Sequence, residues 1–329
     1  MNTRTQGKKV ARHTTPVLAD RVLPRDNGRL KADRDAGVRV NAATKPSVPD
    51  RIRAAAELVR MDLVIGAGIF VVAGEILALG RLPSAEMALL GFLTGFFVSG
   101  SANISNDYFD RDVDRVNRPA RPLPSGRISV AELRVLFAVF AAVGLASAAL
   151  LGPAALTLAA AVWGVALLYN VRLKEIGLVG NLAVAFCVSM TIVIGGTAVG
   201  AAVNGLVLTF GALAFLFDLG EEIASDAMDV EGDSLRSSGS IAARSGRAQA
   251  LRLSGVAFAL FIALTFLPFL AGWLGPVYLA CAAAAAVVMA YFAARLVTSR
   301  TIAEGRVLVR RMYLVWGVFV VVFVLASLL

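Results

Sequence analysis

The sequence predicts an all-α, polytopic membrane protein with nine transmembrane helices bundled around a central cavity. Apolar residues make up 58% of the 329 residues, and the mean hydropathy is +0.74. The apolar residues fall into runs of about 18 to 25 residues, the length that a spanning helix needs. Soluble domains carry a smaller apolar share. Most of this chain must therefore face lipid or other parts of itself.

The N-terminal segment has a different composition. Residues 1–53 hold 13 Lys and Arg against five Asp, a net charge of +8, and they contain no aromatic side chain. Such a segment cannot bury a core. We expect residues 1–54 to form a disordered basic cytoplasmic tail that is attracted to anionic membrane lipid rather than to nucleic acid. The remaining residues, 55–329, are expected to form the helical domain.

Nine apolar segments are long enough to span a bilayer. The loops between them alternate between short, nearly uncharged turns and longer loops rich in Arg and Lys, such as residues 111–127. Because basic loops stay on the cytoplasmic side, the N-terminus and these long loops are predicted to be cytoplasmic in a multi-pass protein of the cell membrane. The predicted spans are residues 56–79, 84–105, 130–151, 153–170, 178–199, 203–224, 249–271, 274–296 and 309–328.

Two clusters of carboxylates stand at the ends of the second and sixth segments. They are Asp107, Asp110 and Asp114 in the first cluster, and Asp226, Asp229 and Asp233 in the second. Both repeat the spacing i, i+3, i+7, which stacks three carboxylates along one helix face. Six carboxylates at one membrane face repel one another unless cations neutralise them. Two facing sets of oxygen ligands suit Mg²⁺ bridged to substrate phosphates. The structural alternative is a pair of solvated helix ends in which Asp side chains pair with adjacent Arg.

Other catalytic chemistries find few residues in this chain. The single histidine, His13, lies in the N-terminal segment, and the two cysteines, Cys187 and Cys281, lie inside apolar runs. Histidine-based acid–base catalysis and histidine-ligated zinc are therefore excluded from the helical domain. Catalysis must rest on carboxylates, cations and tyrosines.

The carboxylate clusters and their flanks resemble the signature motifs of the UbiA superfamily of intramembrane prenyltransferases. The first motif reads N-x-x-x-D-x-x-x-D at residues 106–114, followed by N-R-P-x-R-P at residues 117–122. The second motif reads D-x-x-x-D at residues 229–233. The similarity covers about residues 55–329. It implies a nine-helix prenyltransferase domain that uses Mg²⁺ to act on a prenyl diphosphate donor and a lipid-soluble acceptor.

The resemblance also implies roles for single residues. Asp110, Asp233 and Tyr169 are expected to be catalytic, with Tyr169 shielding or polarising the departing group. Lys174 is expected to bind the diphosphate as a point charge. The structural alternatives are a positive-inside anchor at Lys174 and a snorkelling arginine at Arg60. The implied metal ligands are Asn106, Asp110, Asp114, Asp226, Asp229 and Asp233, and the implied substrate-binding residues are Arg60, Arg118, Arg121, Tyr169, Lys174 and Asn181.

The acceptor is the least constrained part of this prediction. Residues 180–185, 195–200 and 222–233 most resemble archaeal members that add a geranylgeranyl group to geranylgeranylglyceryl phosphate, forming the second ether bond of archaeal-type membrane lipid. Glu221 departs from this pattern because those members have an arginine there. An aromatic acceptor of quinone biosynthesis, such as 4-hydroxybenzoate, is the alternative. A cation-coupled transporter is a third reading, although its ionisable residues would normally lie nearer mid-bilayer.

Overall fold

A computed structural model describes residues 47–233 and 239–326, without the side chains of residues 230–233 and 324–326. The described chain is helical and contains no strand, which confirms the predicted class. Residues 1–46 of the predicted tail lie outside the described residues. The helices are α1 (Val48–Val59), α2 (Met61–Leu79), α3 (Ala85–Phe109), α4 (Arg111–Asn117), α5 (Val130–Leu151), α6 (Pro153–Val171), α7 (Leu178–Ala198), α8 (Gly205–Asp233), α9 (Ile241–Ser245), α10 (Arg247–Leu264), α11 (Leu267–Leu270), α12 (Pro276–Val297) and α13 (Ile302–Ala326).

Seven segments of the described chain are long and apolar enough to cross a membrane. They are α2, α3, α5, α6, α7, α12 and the continuous stretch formed by α10 and α11. The two remaining long helices, α8 and α13, have 29 and 25 residues but carry more charged side chains. Asp218, Glu221 and Glu222 lie within α8, and Arg310 and Arg311 lie within α13. The predicted count of nine is therefore supported for seven segments, and the other two stay predictions.

The first helix begins before the predicted domain boundary. Ser47 accepts a hydrogen bond from the backbone N–H of Asp50, and the Asp50 side chain accepts one from Ser47 in return. This capping box starts α1 at Val48, so the boundary predicted between residues 54 and 55 falls inside a helix. The helix ends at Arg60, whose φ of +60° makes it the one non-glycine residue in the left-handed region among the described residues. That conformation costs energy and turns the chain sharply into α2.

Glycines let the central helices approach each other closely. A Cβ atom on Gly74 of α2 would lie 2.0 Å from the carbonyl oxygen of Ile192 in α7. A Cβ atom on Gly195 of α7 would lie 1.9 Å from the carbonyl oxygen of Val71 in α2. Small residues at such crossings allow backbone-to-backbone packing between membrane helices. In the described bundle, α2 packs against both α3 and α7, and α7 packs against α8. In this order α2 and α7 lie between α3 and α8, the two helices with the carboxylate clusters.

The predicted orientation leads to a labelling experiment. In a variant without its two native cysteines, a cysteine at Ala202, between α7 and α8, should react with an impermeant thiol reagent in intact cells. A cysteine at Asn117, at the end of α4, should react only after the membrane is permeabilised. This difference is expected because the loop after α4 is basic and the loop before α8 is uncharged. The reversed pattern would contradict a cytoplasmic active site.

Candidate active site

The first carboxylate cluster lies where α3 ends. Asp110 is both the last cap of α3 and the residue before α4, so the chain bends at this carboxylate. Asp107, Asp110 and Asp114 are all buried. The Asp114 side chain is 5% exposed, whereas the Asp112 side chain between two cluster members is 68% exposed. At a solvated helix end, these carboxylates would be exposed and water would be their partner. Their burial therefore argues against that alternative.

Two arginines from distant segments neutralise Asp107 and Asp114 of this cluster. Arg60, at the junction of α1 and α2, lies 3.3 Å from the Asp107 carboxylate. Arg121, in the loop after α4, lies 3.2 Å from Asp107 and 2.7 Å from Asp114. The structure therefore brings together Arg60, Arg121 and Asp114, three residues that the sequence predicts for the site. It also adds Asp107 as the carboxylate that links both arginines.

Lys174 approaches the cluster from the opposite flank of α3. It lies in a single 3₁₀ turn, Leu173–Glu175, between α6 and α7, and its ammonium group contacts Asp110 Oδ1. Both side chains are largely buried. An anchor at the membrane surface would point its amine toward headgroups and water. The observed contact instead places the Lys174 charge beside a predicted metal ligand.

Asn106 lies between these two flanks and is oriented from both sides. Its Oδ1 atom accepts a hydrogen bond of 2.8 Å from Arg60, and its Nδ2 atom donates one of 3.0 Å to Asn170 Oδ1. Asn170 is buried and donates in turn to Ser105 Oγ at 2.7 Å. The sequence analysis did not single out Asn170. Its signal was a polar amide, next to Tyr169, at the end of an apolar segment.

The second cluster lies in the last turns of α8. Asp226 accepts a hydrogen bond of 3.0 Å from Asn181 Nδ2 in α7, which joins two predicted site residues. Asp229 forms an ion pair of 2.7 Å with Arg306 of α13, a residue that the sequence analysis missed. The side chain of Asp233 lies outside the described residues, so its predicted place in the site stays a prediction.

Tyr169 connects the two clusters. This partly buried side chain near the end of α6 interacts electrostatically with Asp110 of the first cluster and with Asp226 of the second. Arg60 and Glu222 also act on it. Tyr169 is therefore within electrostatic range of both carboxylate clusters.

Three carboxylates of α8 that were not predicted for the site lie deeper in the bundle than the second cluster. Glu221 accepts hydrogen bonds from Ser225 at 2.7 Å and from the Tyr313 hydroxyl of α13 at 3.1 Å. Asp218 is buried, and its Oδ2 atom has no hydrogen-bond partner among the described residues. With Glu222, they make this wall of the bundle acidic. A run of acidic residues inside a predicted span was the available signal.

The donor atoms of the site fit a hard divalent cation. The ends of α3 and α8 supply carboxylate oxygens and one amide oxygen, and these are the ligands that Mg²⁺ uses. No group of three or more acidic, His or Cys side chains close enough to enclose a metal occurs among the described residues. Mg²⁺ does not require such a cage, because it typically takes one or two carboxylates and completes its shell with waters and substrate phosphates. The residues present therefore suit a Mg²⁺–diphosphate complex.

These features define a membrane-embedded enzyme whose polar site opens among buried carboxylates and cations at one end of a helical bundle. The chain belongs to the UbiA prenyltransferase family, whose model matches residues 67–315. It is a prenyltransferase and an integral multi-pass membrane protein, as the sequence resemblance predicted. The transporter reading is therefore wrong.

Individual relatives refine this likeness. The digeranylgeranylglyceryl phosphate synthase of Methanopyrus kandleri is 39% identical over 239 residues, which cover 72% of this chain and 86% of the relative. A solved structure of a digeranylgeranylglyceryl phosphate synthase has a TM-score of 0.71 at 25% identity and covers 84% of this chain and 99% of that one. The UbiA homolog of Archaeoglobus fulgidus, bound to GPP and Mg²⁺, shares the fold with a TM-score of 0.61 at 19% identity, over 83% of this chain and 99% of that one.

Proposed function

We propose that this prenyltransferase transfers a geranylgeranyl group from its diphosphate to geranylgeranylglyceryl phosphate in a Mg²⁺-dependent reaction. The product would carry the second ether bond of archaeal-type membrane lipid. The observation that carries this proposal is the 39% identity to the Methanopyrus kandleri synthase over 86% of its length. The likeness extends over most of the relative's length and is not confined to one segment.

The donor diphosphate is assigned to the space between the two carboxylate clusters. Asn106 and Asp110 on α3, with Asp229 and Asp233 on α8, would hold Mg²⁺ on the diphosphate. When bound, the metal neutralises charge that develops on the leaving diphosphate. Lys174 lies beside Asp110 and supplies a further cation to the same oxygens. The predicted ligands Asp114 and Asp226 would be the outer members of the two clusters.

The chemistry requires a dry and positively lined site. The bond between the allylic C1 atom and the diphosphate oxygen breaks, and the acceptor hydroxyl oxygen forms the new ether bond to C1 while its proton is released. The apolar helices exclude water from the allylic cation, which water would otherwise hydrolyse. Tyr169, between the clusters, shields the cation on the side of the departing group. Lys174, beside Asp110, stabilises the negative charge that the departing diphosphate gains.

An aromatic acceptor is the second candidate, and Glu221 is the observation that favours it. This carboxylate stands where an arginine is expected for a glyceryl phosphate acceptor, and it is held by Ser225 and Tyr313. A carboxylate on this wall disfavours an anionic group nearby. The cations on the α1 side of the site remain available for the phosphate, which is why the lipid acceptor is the first candidate.

A product assay separates the two candidates. Detergent-purified protein would be incubated with geranylgeranyl diphosphate, Mg²⁺ and either geranylgeranylglyceryl phosphate or 4-hydroxybenzoate, and the products would be identified by mass. The ether lipid should form, and a chelator should stop its formation. Faster prenylation of 4-hydroxybenzoate would contradict the proposed acceptor. The sample without acceptor reports simple hydrolysis of the donor and serves as the background.

A further inference from the structure

A polar cavity opens beside the first carboxylate cluster, on the α1 side of α3. Its volume is about 350 Å³, within the range of small-ligand sites. Three arginines and two carboxylates line it, with the backbone and side chains of the loop after α4. The lining residues are Glu57, Arg60, Asp107, Arg118, Ala120, Arg121 and Pro122.

Both carboxylates of this cavity are already neutralised by cations. Asp107 pairs with Arg60 and Arg121, as described above. Glu57 accepts a hydrogen bond of 2.7 Å from Arg127, and this hydrogen bond lowers the pKa of the Glu57 carboxyl group. Arg53 approaches Glu57 as well, at 3.3 Å. The positive charge of the cavity is therefore in excess.

Most N–H donors of these arginines are not engaged by the described residues. In the described chain, Arg60 uses one terminal nitrogen, Nη2, for both Asn106 and Asp107. Arg121 likewise uses Nη1 alone for its two carboxylates. The Arg118 guanidinium makes no ion pair or hydrogen bond with any described residue. Since each guanidinium has five N–H donors, most of them remain for a ligand.

The loop that carries Arg118 and Arg121 is itself fixed. The Arg121 N–H donates to the carbonyl of Arg118 at 3.0 Å, and Ser125 donates to the carbonyl of Arg121 through its N–H and its hydroxyl. Arg127 donates to the carbonyl of Ala120 at 2.7 Å. A loop held in this way pays little ordering entropy when a ligand binds. Arginine forks in a fixed arrangement are suited to planar pairs of phosphate oxygens.

The side chains assigned to the donor, Lys174 and Asp110 among them, do not line this cavity. Lys174 approaches Asp110 from the α6 side of α3, whereas Arg60 and Arg121 approach Asp107 from the α1 side. Asn106 lies between the two flanks and contacts residues on each. The site therefore offers two cationic subsites, one on either flank of the end of α3.

We propose that the cavity lined by Arg60, Arg118 and Arg121 binds a phosphate monoester, the phosphate of the acceptor, while the donor diphosphate binds on the Lys174 flank. This assignment rests on the proposed function. It explains how two anionic substrates occupy one site: each has its own cations, and the carboxylates of α3 lie between them. It also explains how the acidic wall of α8 is tolerated, because the acceptor phosphate binds on the opposite flank.

The test compares acceptors with and without the phosphate. In the variant Arg118→Gln, the KM for geranylgeranylglyceryl phosphate should rise about tenfold or more, the loss expected for one hydrogen bond to a charged group. The donor KM should not change, and the neutral acceptor geranylgeranylglycerol should react equally well with both proteins. Arg118 has no partner in the described chain, so its replacement should leave folding intact. Arg115→Gln is the matched control, because Arg115 is exposed and pairs with Asp112 outside the cavity.

A binding measurement keeps this proposal distinct from the proposed function. Inorganic phosphate should raise the thermal unfolding temperature of the detergent-purified wild type more than that of Arg118→Gln, since a ligand stabilises the state that binds it. An unchanged acceptor KM in Arg118→Gln, or an equal rise in the donor KM, would overturn the assignment. A third outcome separates the two proposals. If the wild type does not use geranylgeranylglyceryl phosphate, but phosphate stabilises the wild type more than Arg118→Gln, the proposed function fails and the anion site stands.

Discussion

Replacing Asp110 by alanine is expected to lower turnover by about 100- to 1,000-fold, the loss seen when one preorganised group that stabilises transition-state charge is removed. Asp110 is buried where α3 ends, touches Lys174 and acts on Tyr169. Its carboxylate therefore links the first cluster to Lys174, the proposed diphosphate cation, and acts on Tyr169. Without this carboxylate, Lys174 would lose its ion-pair partner and the metal would lose a proposed ligand.

The control for this variant is two residues away. Asp112 is exposed and pairs with Arg111 and Arg115 on the surface, so Asp112→Ala should keep near wild-type turnover. Asp110→Asn, which keeps the shape of the side chain, should be nearly as inactive as the alanine variant while its unfolding temperature stays closer to wild type. The measurement is the initial rate at saturating Mg²⁺, with helix content and detergent solubility as the folding check. Retention of more than about a tenth of the rate would argue against the metal role.

The repeated carboxylate pattern made much of this site predictable. A spacing of i, i+3, i+7 depends only on helical geometry, so it can be read from the chain without knowing how helices pack. Asn181 was predicted and does lie against Asp226. The partners of the carboxylates were harder to predict. Arg306 reaches Asp229 from a helix 77 residues further along the chain, and no local pattern encodes that contact.

The loop after α4 shows a second limit of sequence patterns. Arg111 and Arg115 are the basic residues nearest to the first cluster, and they were the expected partners in the solvated alternative. The structure instead pairs the buried carboxylates with Arg60 and Arg121, because the chain turns back after Arg118 and brings Arg121 under α3. A turn of this kind depends on the bend at Asp110 and on packing against α1, which are tertiary features.

Helix α1 begins before the predicted start of the helical domain. The start of α1 is signalled locally by Ser47 and Asp50, which form a capping box, whereas the predicted boundary rested on the composition of the segment. Helix α8 poses a different problem. Because it carries Asp218, Glu221 and Glu222, it is not counted as a membrane span by length and hydropathy, although a span was predicted at residues 203–224. Polar residues in a membrane helix are compatible with spanning when they face the interior of the bundle, and these three belong to the site wall.

Replacing Lys174 by glutamine is expected to lower kcat/KM for the donor by about 100-fold, since the variant loses a cation that acts on the leaving diphosphate. Lys174 is fixed for this role by a short turn between α6 and α7, and its amine contacts Asp110 instead of pointing outward. Most of the loss should appear in kcat, because negative charge on the diphosphate is greatest once the bond to C1 has broken. Lys174→Arg should recover part of the rate by keeping the charge, though with a different geometry.

The control variant separates this role from membrane anchoring. Arg172 is exposed at the end of α6, two residues earlier in the same basic loop, and Arg172→Gln removes one positive charge from the same membrane face. If the loop charge served only to orient the helices, both variants should insert poorly and should share unchanged donor kinetics in the fraction that folds. If Lys174 binds the diphosphate, only Lys174→Gln should lose donor kcat/KM, and its insertion should equal that of Arg172→Gln. Equal kinetics in the two variants would remove Lys174 from the donor site and leave Asp110 to act through the metal alone.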